Sequence, residues 1–213
     1  DWIADYPGLS DQQRTAIEAK LELSLHYHLL ILNADSASLW HGRTTLAAHA
    51  WLLAVALGDE GEIRAPLFEH AAHHFLAVLE ALQLSEAWPE GYNYWINNRA
   101  FSFGLAAAAF INGLQQNPIQ ERVRQVIART ALWHVYATRP DHRVVALGDE
   151  GPRIDLAEEA TRFIDLATGL TEDPVLLLYA AYLGQLHAER AYFRGYRWWH
   201  PLLNWHRSRS DLA

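Results

Sequence analysis

The chain has 213 residues, of which 51% are hydrophobic, and this is enough apolar material for one large folded core. Its formal net charge of −8 and its lack of a Lys/Arg block argue against a nucleic-acid partner, which needs a basic surface. No apolar run is long enough to predict a membrane span, and the absence of cysteine excludes disulfides, thiolate metal sites and a cysteine nucleophile.

Hydrophobic residues recur at helical spacing along most of the chain, and capping patterns divide it into helices. Ser10 and Gln13 form a capping box for the first helix, and Gly58 is a typical residue to end the second. The predicted helices are Asp11 to about Ile31, Thr44 to Leu57, Pro66 to about Leu84, Arg99 to Leu114, Pro118 to about Tyr136, Leu156 to Leu166 and Asp173 to about Arg190. Because no stretch alternates as a strand does, we predict an all-α fold of stacked antiparallel helical hairpins in a single domain, 1–213.

Residues 88–99 form a loop between two apolar helices and bring together aromatic rings, amides and a cation. Loops that serve only as connections are usually small and polar, whereas functional loops keep large side chains that the core does not demand. Ring faces, amides and a guanidinium together suit the binding of sugars. We therefore interpret this loop as a carbohydrate site.

Several short motifs resemble one family. Trp88-Pro89-Glu90-Gly91, followed by Tyr94-Trp95, resembles the Tyr-Pro-Glu-Gly-Pro-x-Tyr-Trp signature of heparinase II/III-like and alginate-lyase-type polysaccharide lyases. Residues 1–10 look like the start of the α/α-toroid of that family, and residues 148–150 fall where it carries a Gly-Asp turn. The resemblance implies an incomplete (α/α) toroid, a C-terminal β-sandwich domain beyond this chain, and a periplasmic or secreted protein.

The resemblance also implies that the partner is an anionic, uronate-containing polysaccharide that is cleaved by β-elimination without a cofactor. Such an enzyme neutralises the uronate carboxylate, removes the weakly acidic C5 proton and protonates the leaving oxygen. By motif position Tyr94 is the base and acid, Tyr92 is the second choice, and His41 assists. Where the family carries an Asn before this histidine the chain has Trp40, so Arg43 is the candidate that neutralises the carboxylate.

The remaining large or charged side chains of the loop, with one later arginine, are the predicted substrate-binding residues: Trp88, Glu90, Trp95, Asn97, Arg99 and Arg153. Structural roles are the alternative. The aromatic rings can be buried where they cap helix ends, and the arginines can hold loops through carboxylates. His41 is equally consistent with an ordinary histidine at a helix N-terminus.

Two other function classes stay open. A glycoside hydrolase on a helical toroid needs two carboxylates that face each other across a cleft, and the pair to consider is Glu90 with Asp149 or Glu150. A non-catalytic carbohydrate-binding or scaffold domain needs only the aromatic cleft. No metal is predicted, because no carboxylate joins the three histidines that one helix places at i, i+3 and i+4: His70, His73 and His74.

Overall fold

The computed structural model describes residues 7–34, 40–85, 88–96, 99–113, 118–146, 154–156 and 159–186. Over these ranges the chain forms eight helices and one small antiparallel sheet of two strands, so the all-α prediction is confirmed. None of the helices in these ranges is both long enough and apolar enough to cross a bilayer.

The helices and strands follow one another in a simple order along the chain. They are α1 (Asp11–Ala34), α2 (His41–Leu57), α3 (Arg64–Leu84), α4 (Tyr92–Ile96), α5 (Arg99–Gly113), α6 (Pro118–Ala137), β1 (Arg143–Val144), β2 (Ile154–Asp155), α7 (Glu159–Thr171) and α8 (Pro174–Leu186). By their contacts they divide into two compact units, 1–81 and 82–213, here called unit 1 and unit 2. The prediction of one toroidal domain stays a prediction.

In unit 1, α1 and α2 pack through aliphatic and small side chains. The buried face of α1 consists of Leu25, Leu29 and Leu32 at helical spacing, and α2 presents mainly alanines, which allow close approach. Arg64, at the start of α3, donates from Nη1 to the carbonyl oxygen of Leu57 at 3.1 Å and from Nη2 to Glu18 at 2.9 Å. One guanidinium thus connects the beginning of α3 to both other helices of the unit.

The helix ends follow the local chemistry that the sequence predicts. The Ser10 backbone N–H donates to the Gln13 side-chain oxygen at 2.9 Å and Ser10 Oγ accepts from the Gln13 N–H at 3.3 Å, which is the predicted capping box. Asp173 Oδ1 accepts from the N–H groups of Val175 and Leu176 and so caps α8. Gly58 has a φ of 77°, which explains why glycine stands where α2 ends.

In unit 2, α5, α6, α7 and α8 surround an aromatic core, and α5 approaches α7 closely at Gly104. A Cβ there would lie 2.8 Å from Cδ2 of Leu166, so only glycine fits without a shift. The sheet pairs Arg143 with Asp155 and Val144 with Ile154. Strands of two residues are too short to show an alternation of apolar and polar residues, so the sequence did not predict them. They occupy the chain up to Asp155, and α7 begins at Glu159 instead of the predicted Leu156.

Candidate functional site

The loop that resembles the lyase signature begins with a tight turn. The N–H of Gly91 donates to the carbonyl oxygen of Trp88 at 3.2 Å, and Gly91 has a φ of 88°, a conformation that glycine adopts without steric cost. The chain then enters the five-residue helix α4. This turn brings the Trp88 indole onto that of Trp95, with ring centroids 4.7 Å apart and planes 24° from parallel. The loop is therefore closed by its own aromatic residues.

Three rings anchor the loop in the core of unit 2. Trp88, Tyr92 and Trp95 are all buried, and Tyr92 has no solvent exposure at all. Trp95 packs against Phe103 and Phe163, with ring centroids 5.8 and 5.7 Å away. Tyr92 and Trp95 are three residues apart and so lie on the same face of α4. These three predicted site residues face the core, as the structural alternative expects.

Tyr94 lies on the other side of α4. It is two residues, or about 200° of helical rotation, from Tyr92, and its side chain is partly exposed. Arg99, the first residue of α5, places its guanidinium carbon 5.6 Å from the centroid of the Tyr94 ring, within the range of a cation–π interaction. The structure thus brings a partly exposed phenol together with a guanidinium, although the other three rings of the loop are buried.

The other predicted residues of unit 2 are placed only in part. Glu90 is partly exposed in the turn that precedes α4. Asn97, Arg153, Asp149 and Glu150 lie outside the described residues, as do the motifs at residues 1–6 and 148–150. The carboxylate pair of the hydrolase alternative therefore stays a prediction.

In unit 1, His41 and Arg43 lie in the first turn of α2, so the histidine begins the helix rather than preceding it. The ring of Trp40 packs edge-on against His41 at 5.2 Å and over Gly42, where a Cβ would lie 2.2 Å from ring atoms of the indole. The side chains of His41 and Arg43 are partly exposed. These two residues belong to unit 1 and Tyr94 belongs to unit 2, so the predicted meeting of the three stays a prediction.

The histidines of α3 form a cluster near the end of α1. His74 is buried, its Nε2 lies 3.1 Å from Oδ1 of Asn33, and the ring of His70 stacks on it at 5.0 Å. Burial is the main cause that lowers the pKa of His74 to about 4, and the charges of His70, Arg43 and His73 lower it further. Among the residues placed by the structure, no three His, Asp or Glu side chains are arranged to hold a metal ion.

His134 on α6 is an imidazole that the sequence analysis did not single out. It is completely buried, and its ring centroid lies 5.5 Å from that of Tyr92 with the two planes 73° apart. Neither of its nitrogens has a hydrogen-bond partner among the described residues. Burial alone lowers its pKa to about 3. His134 is therefore a neutral ring that packs against α4, and the available signal was its place at helical spacing from Val123, Ile127 and Ala131 on the apolar stripe of α6.

A groove of about 370 Å³ lies on unit 1 and is lined by Ser24, His28, His49, Leu52 and Leu53. His28 Nδ1 lies 2.7 Å from the Ser24 carbonyl oxygen, so a protonated Nδ1 donates there and leaves Nε2 as the basic nitrogen. The pKa of His49 is lowered by burial and then by His28, whose ring centroid is 6.1 Å away. Two imidazoles and two leucines thus line this groove.

A phenol and an imidazole that are distant in sequence do meet within unit 2, but they are residues that sequence reasoning missed. Nδ1 of His142 lies 2.5 Å from the hydroxyl oxygen of Tyr182, forty residues further along the chain. The available signal was the segment Arg139-Pro140-Asp141-His142-Arg143, a turn sequence with two arginines. Its partner on α8 follows only from tertiary packing.

Comparison of the chain with protein-family models, with curated proteins and with solved structures gives no significant match. The resemblance to polysaccharide lyases therefore depends on the short motifs of the sequence alone. What the structure adds is the geometry of the loop that carries the strongest of them.

Proposed function

We propose that the chain is a helical domain of a polysaccharide lyase, which binds an anionic uronate-containing polysaccharide and cleaves it by β-elimination. The observation that supports this most directly is the outward Tyr94 ring beside the Arg99 guanidinium. It stands on a helix that buried rings hold in place, and a proton-transfer group needs such a rigid support.

The pair offers two of the groups that the elimination requires. A guanidinium can bind a uronate carboxylate through two parallel hydrogen bonds, and its five N–H donors allow it to do so while keeping its other contacts. This binding lets negative charge develop next to C5 as the C5 proton leaves. In this proposal the phenolate form of Tyr94 accepts that proton, and the resulting phenol returns a proton to the O4 leaving group.

His41 and Arg43 have a supporting place in the proposal. The resemblance assigns His41 the role of assisting the phenol and Arg43 that of neutralising a carboxylate, as an imidazole and a guanidinium are able to do. The proposal further includes the resemblance's incomplete α/α-toroid, a C-terminal β-sandwich domain and a periplasmic or secreted location.

The test is a panel of polymers followed by ultraviolet absorbance, since elimination leaves a conjugated double bond in the product. Alginate, polygalacturonate and a glycosaminoglycan are the probes, and amylose, which lacks carboxylates, is the control. We expect absorbance to rise with at least one uronate polymer and not with amylose. Arg99→Gln should lower kcat/KM by about tenfold or more, whereas Arg129→Gln, at an exposed position of α6, should not.

A second candidate is a carbohydrate-binding domain without catalytic activity. The pairing of Tyr94 with Arg99 supports it as well, because a ring and a guanidinium can bind a uronate without cleaving it, whereas burial removes Trp88, Tyr92 and Trp95 from contact with a sugar. In the same panel this candidate predicts saturable binding of uronate polymers with no rise in absorbance. Absence of both binding and turnover would contradict both candidates.

A further inference from the structure

A second candidate site lies in unit 2 where residues 137–145, a hairpin closed by the bridge between Thr138 and Val144, meet α8. It shares no residue with the motif that resembles the lyases. The turn is closed by the Arg139 N–H, which donates to the Arg143 carbonyl oxygen at 2.7 Å, and by the His142 N–H, which donates to the Arg139 carbonyl oxygen at 3.0 Å. His142 has a φ of 60°. Glycine is the usual residue at this left-handed position of a hairpin turn, and histidine is one of the few other residues found at positive φ.

The side chain of His142 links the hairpin to Tyr182 on α8. Its Nδ1 is hydrogen-bonded to the Tyr182 hydroxyl, and the two rings stack with centroids 5.8 Å apart and planes 23° from parallel. Either the phenol donates to Nδ1 or an N–H at Nδ1 donates to the phenol oxygen, depending on the tautomer of the imidazole. His142 is exposed and Tyr182 is partly exposed, so a ligand can reach the pair.

Tyr179 extends this stack by a third ring. It lies 5.8 Å from Tyr182, with planes 25° from parallel, and its hydroxyl is within 2.7 Å of Thr138 Oγ1. Burial raises the pKa of Tyr179 to about 12, so its ring stays neutral and serves as a support. The three rings, here called the ring stack, form a nearly parallel row from His142 through Tyr182 to Tyr179.

Charged residues of the same hairpin stand on either side of His142 in the sequence. Arg139 donates to Asp141 Oδ2 at 3.0 Å, and Arg143 lies 3.8 Å from the same oxygen. Two guanidiniums thus share one carboxylate on the hairpin, and all three side chains are at least 38% exposed. A ligand carboxylate can therefore approach either arginine without entering the core.

We propose that the ring stack with Arg139 and Arg143 is a binding site for a carboxylate-bearing sugar such as a uronate. Aromatic rings attract the C–H face of a pyranose, a guanidinium fits its carboxylate, and the His142–Tyr182 pair can both donate to and accept from its hydroxyl groups. The proposal shares a ligand class with the proposed function but none of its residues, and it requires no catalysis.

The test is a nuclear magnetic resonance titration of the His142 ring, assigned with His142→Asn, which keeps a residue that tolerates positive φ. The protein carries Tyr94→Phe, so that the proposed elimination does not consume the probe. A short oligogalacturonate is the probe, and a neutral galactose oligomer and inorganic phosphate are the controls. We expect a saturable shift of the His142 signal with the uronate alone, about tenfold weaker in Arg143→Gln and unchanged in Arg129→Gln.

Three results would overturn the inference: no shift with oligogalacturonate at millimolar concentration, an equal shift with phosphate, or an equal shift with the neutral oligomer. In each case the His142–Tyr182 pair is only a structural link between hairpin and helix, or recognises another class of ligand. The outcome is independent of the proposed function. A lyase without this shift refutes the second site alone, and the shift without elimination refutes the lyase alone.

Discussion

The two units differ in how far rings are connected in their cores. Unit 1 buries leucines and alanines on α1 and α2 together with one stacked pair of rings, Trp51 and Phe75, and it leaves Leu23, Tyr27 and Leu30 of α1 exposed. Unit 2 buries a connected set of rings, namely Trp88, Tyr92, Trp95, Phe103 and Phe163. A five-residue helix is too short to be stable by itself, so α4 depends on these rings. The connected rings of unit 2 can therefore hold the loop of residues 88–96 rigidly.

The buried histidines of the two units also differ in their surroundings. His74 of unit 1 and His134 of unit 2 are both kept neutral chiefly by burial. His74 has a hydrogen-bond partner in Asn33, whereas His134 is surrounded by rings and lacks a partner in the described chain. An imidazole without a partner makes the core of unit 2 the more sensitive to acid.

The largest effect should follow from removing a ring that anchors α4. Trp95→Ala deletes a fully buried indole, and such substitutions cost about 4 kcal/mol of stability. Tyr136→Ala, at a side chain that is 80% exposed on α6, is the control and should cost about 0.5 kcal/mol or less. Chemical denaturation of both variants measures the difference. Equal losses would mean that the rings around α4 do not hold unit 2 together.

Acid should destabilise the protein through His134. Its pKa is about 3 in the folded protein against 6.5 in the unfolded chain, so below pH 6.5 only the unfolded state binds the proton. This contribution to stability is fully present above pH 6.5 and is lost as the pH falls towards 3. At pH 5 the loss in free energy of unfolding amounts to about 2 kcal/mol. His134→Leu should remove that part of the pH dependence.

The control for this prediction is His26→Leu, at an exposed position of α1. Both variants and the parent protein are compared by urea denaturation at pH 7 and pH 5. If His134→Leu and the parent lose equal stability between these two pH values, the imidazole is not buried as a neutral group.

A smaller effect is expected at the hydrogen bond between Asn33 and His74. Asn33→Ala leaves the His74 nitrogen without this partner and should cost about 1 kcal/mol. In a His74→Leu background the same substitution should cost almost nothing, since the interaction is already absent. Denaturation of the four proteins of this double-mutant cycle gives the coupling. A coupling near zero would show that the bond does not stabilise unit 1.

The smallest effect concerns two helical glycines of unit 2. Gly184→Ala, where no atom lies within 4 Å of the new methyl group, should stabilise α8 by about 0.5–1 kcal/mol. Gly104→Ala gains the same helix preference but places its methyl group against Leu166, so we expect no gain or a small loss. Thermal unfolding of the two variants should shift in different directions. Equal stabilisation would show that α5 and α7 are less closely packed.

What could be predicted from the sequence is what depends on neighbouring residues. The caps at Ser10 and Gly58 were predicted correctly, as was a helix start at Asp173, because capping is chemistry within a few residues. Helix α4, with five residues, and the strands β1 and β2, with two residues each, were missed because they are too short to show a period. Their presence is decided by packing against distant parts of the chain.

The candidate site shows the same limit. That residues 88–99 carry large side chains was visible in the sequence, but which rings face the core was not. Of the four rings of the loop, Tyr94 is the one on the outer side of α4, where it meets Arg99. The His142–Tyr182 pair joins residues forty positions apart, and no local pattern predicts such a contact. Burial of His134 is equally a property of the packed helices and not of α6 alone.

The most direct test of the proposed function compares Tyr94→Phe with Tyr136→Phe on a uronate polymer. Both variants lose one hydroxyl group, but only Tyr94 lies beside the Arg99 guanidinium, while Tyr136 is an exposed residue of α6. Proton transfer by a positioned side chain contributes about 100-fold or more, so Tyr94→Phe should lower kcat at least by that factor and keep its fold. Unchanged elimination in Tyr94→Phe, with wild-type rates in both variants, would contradict the account.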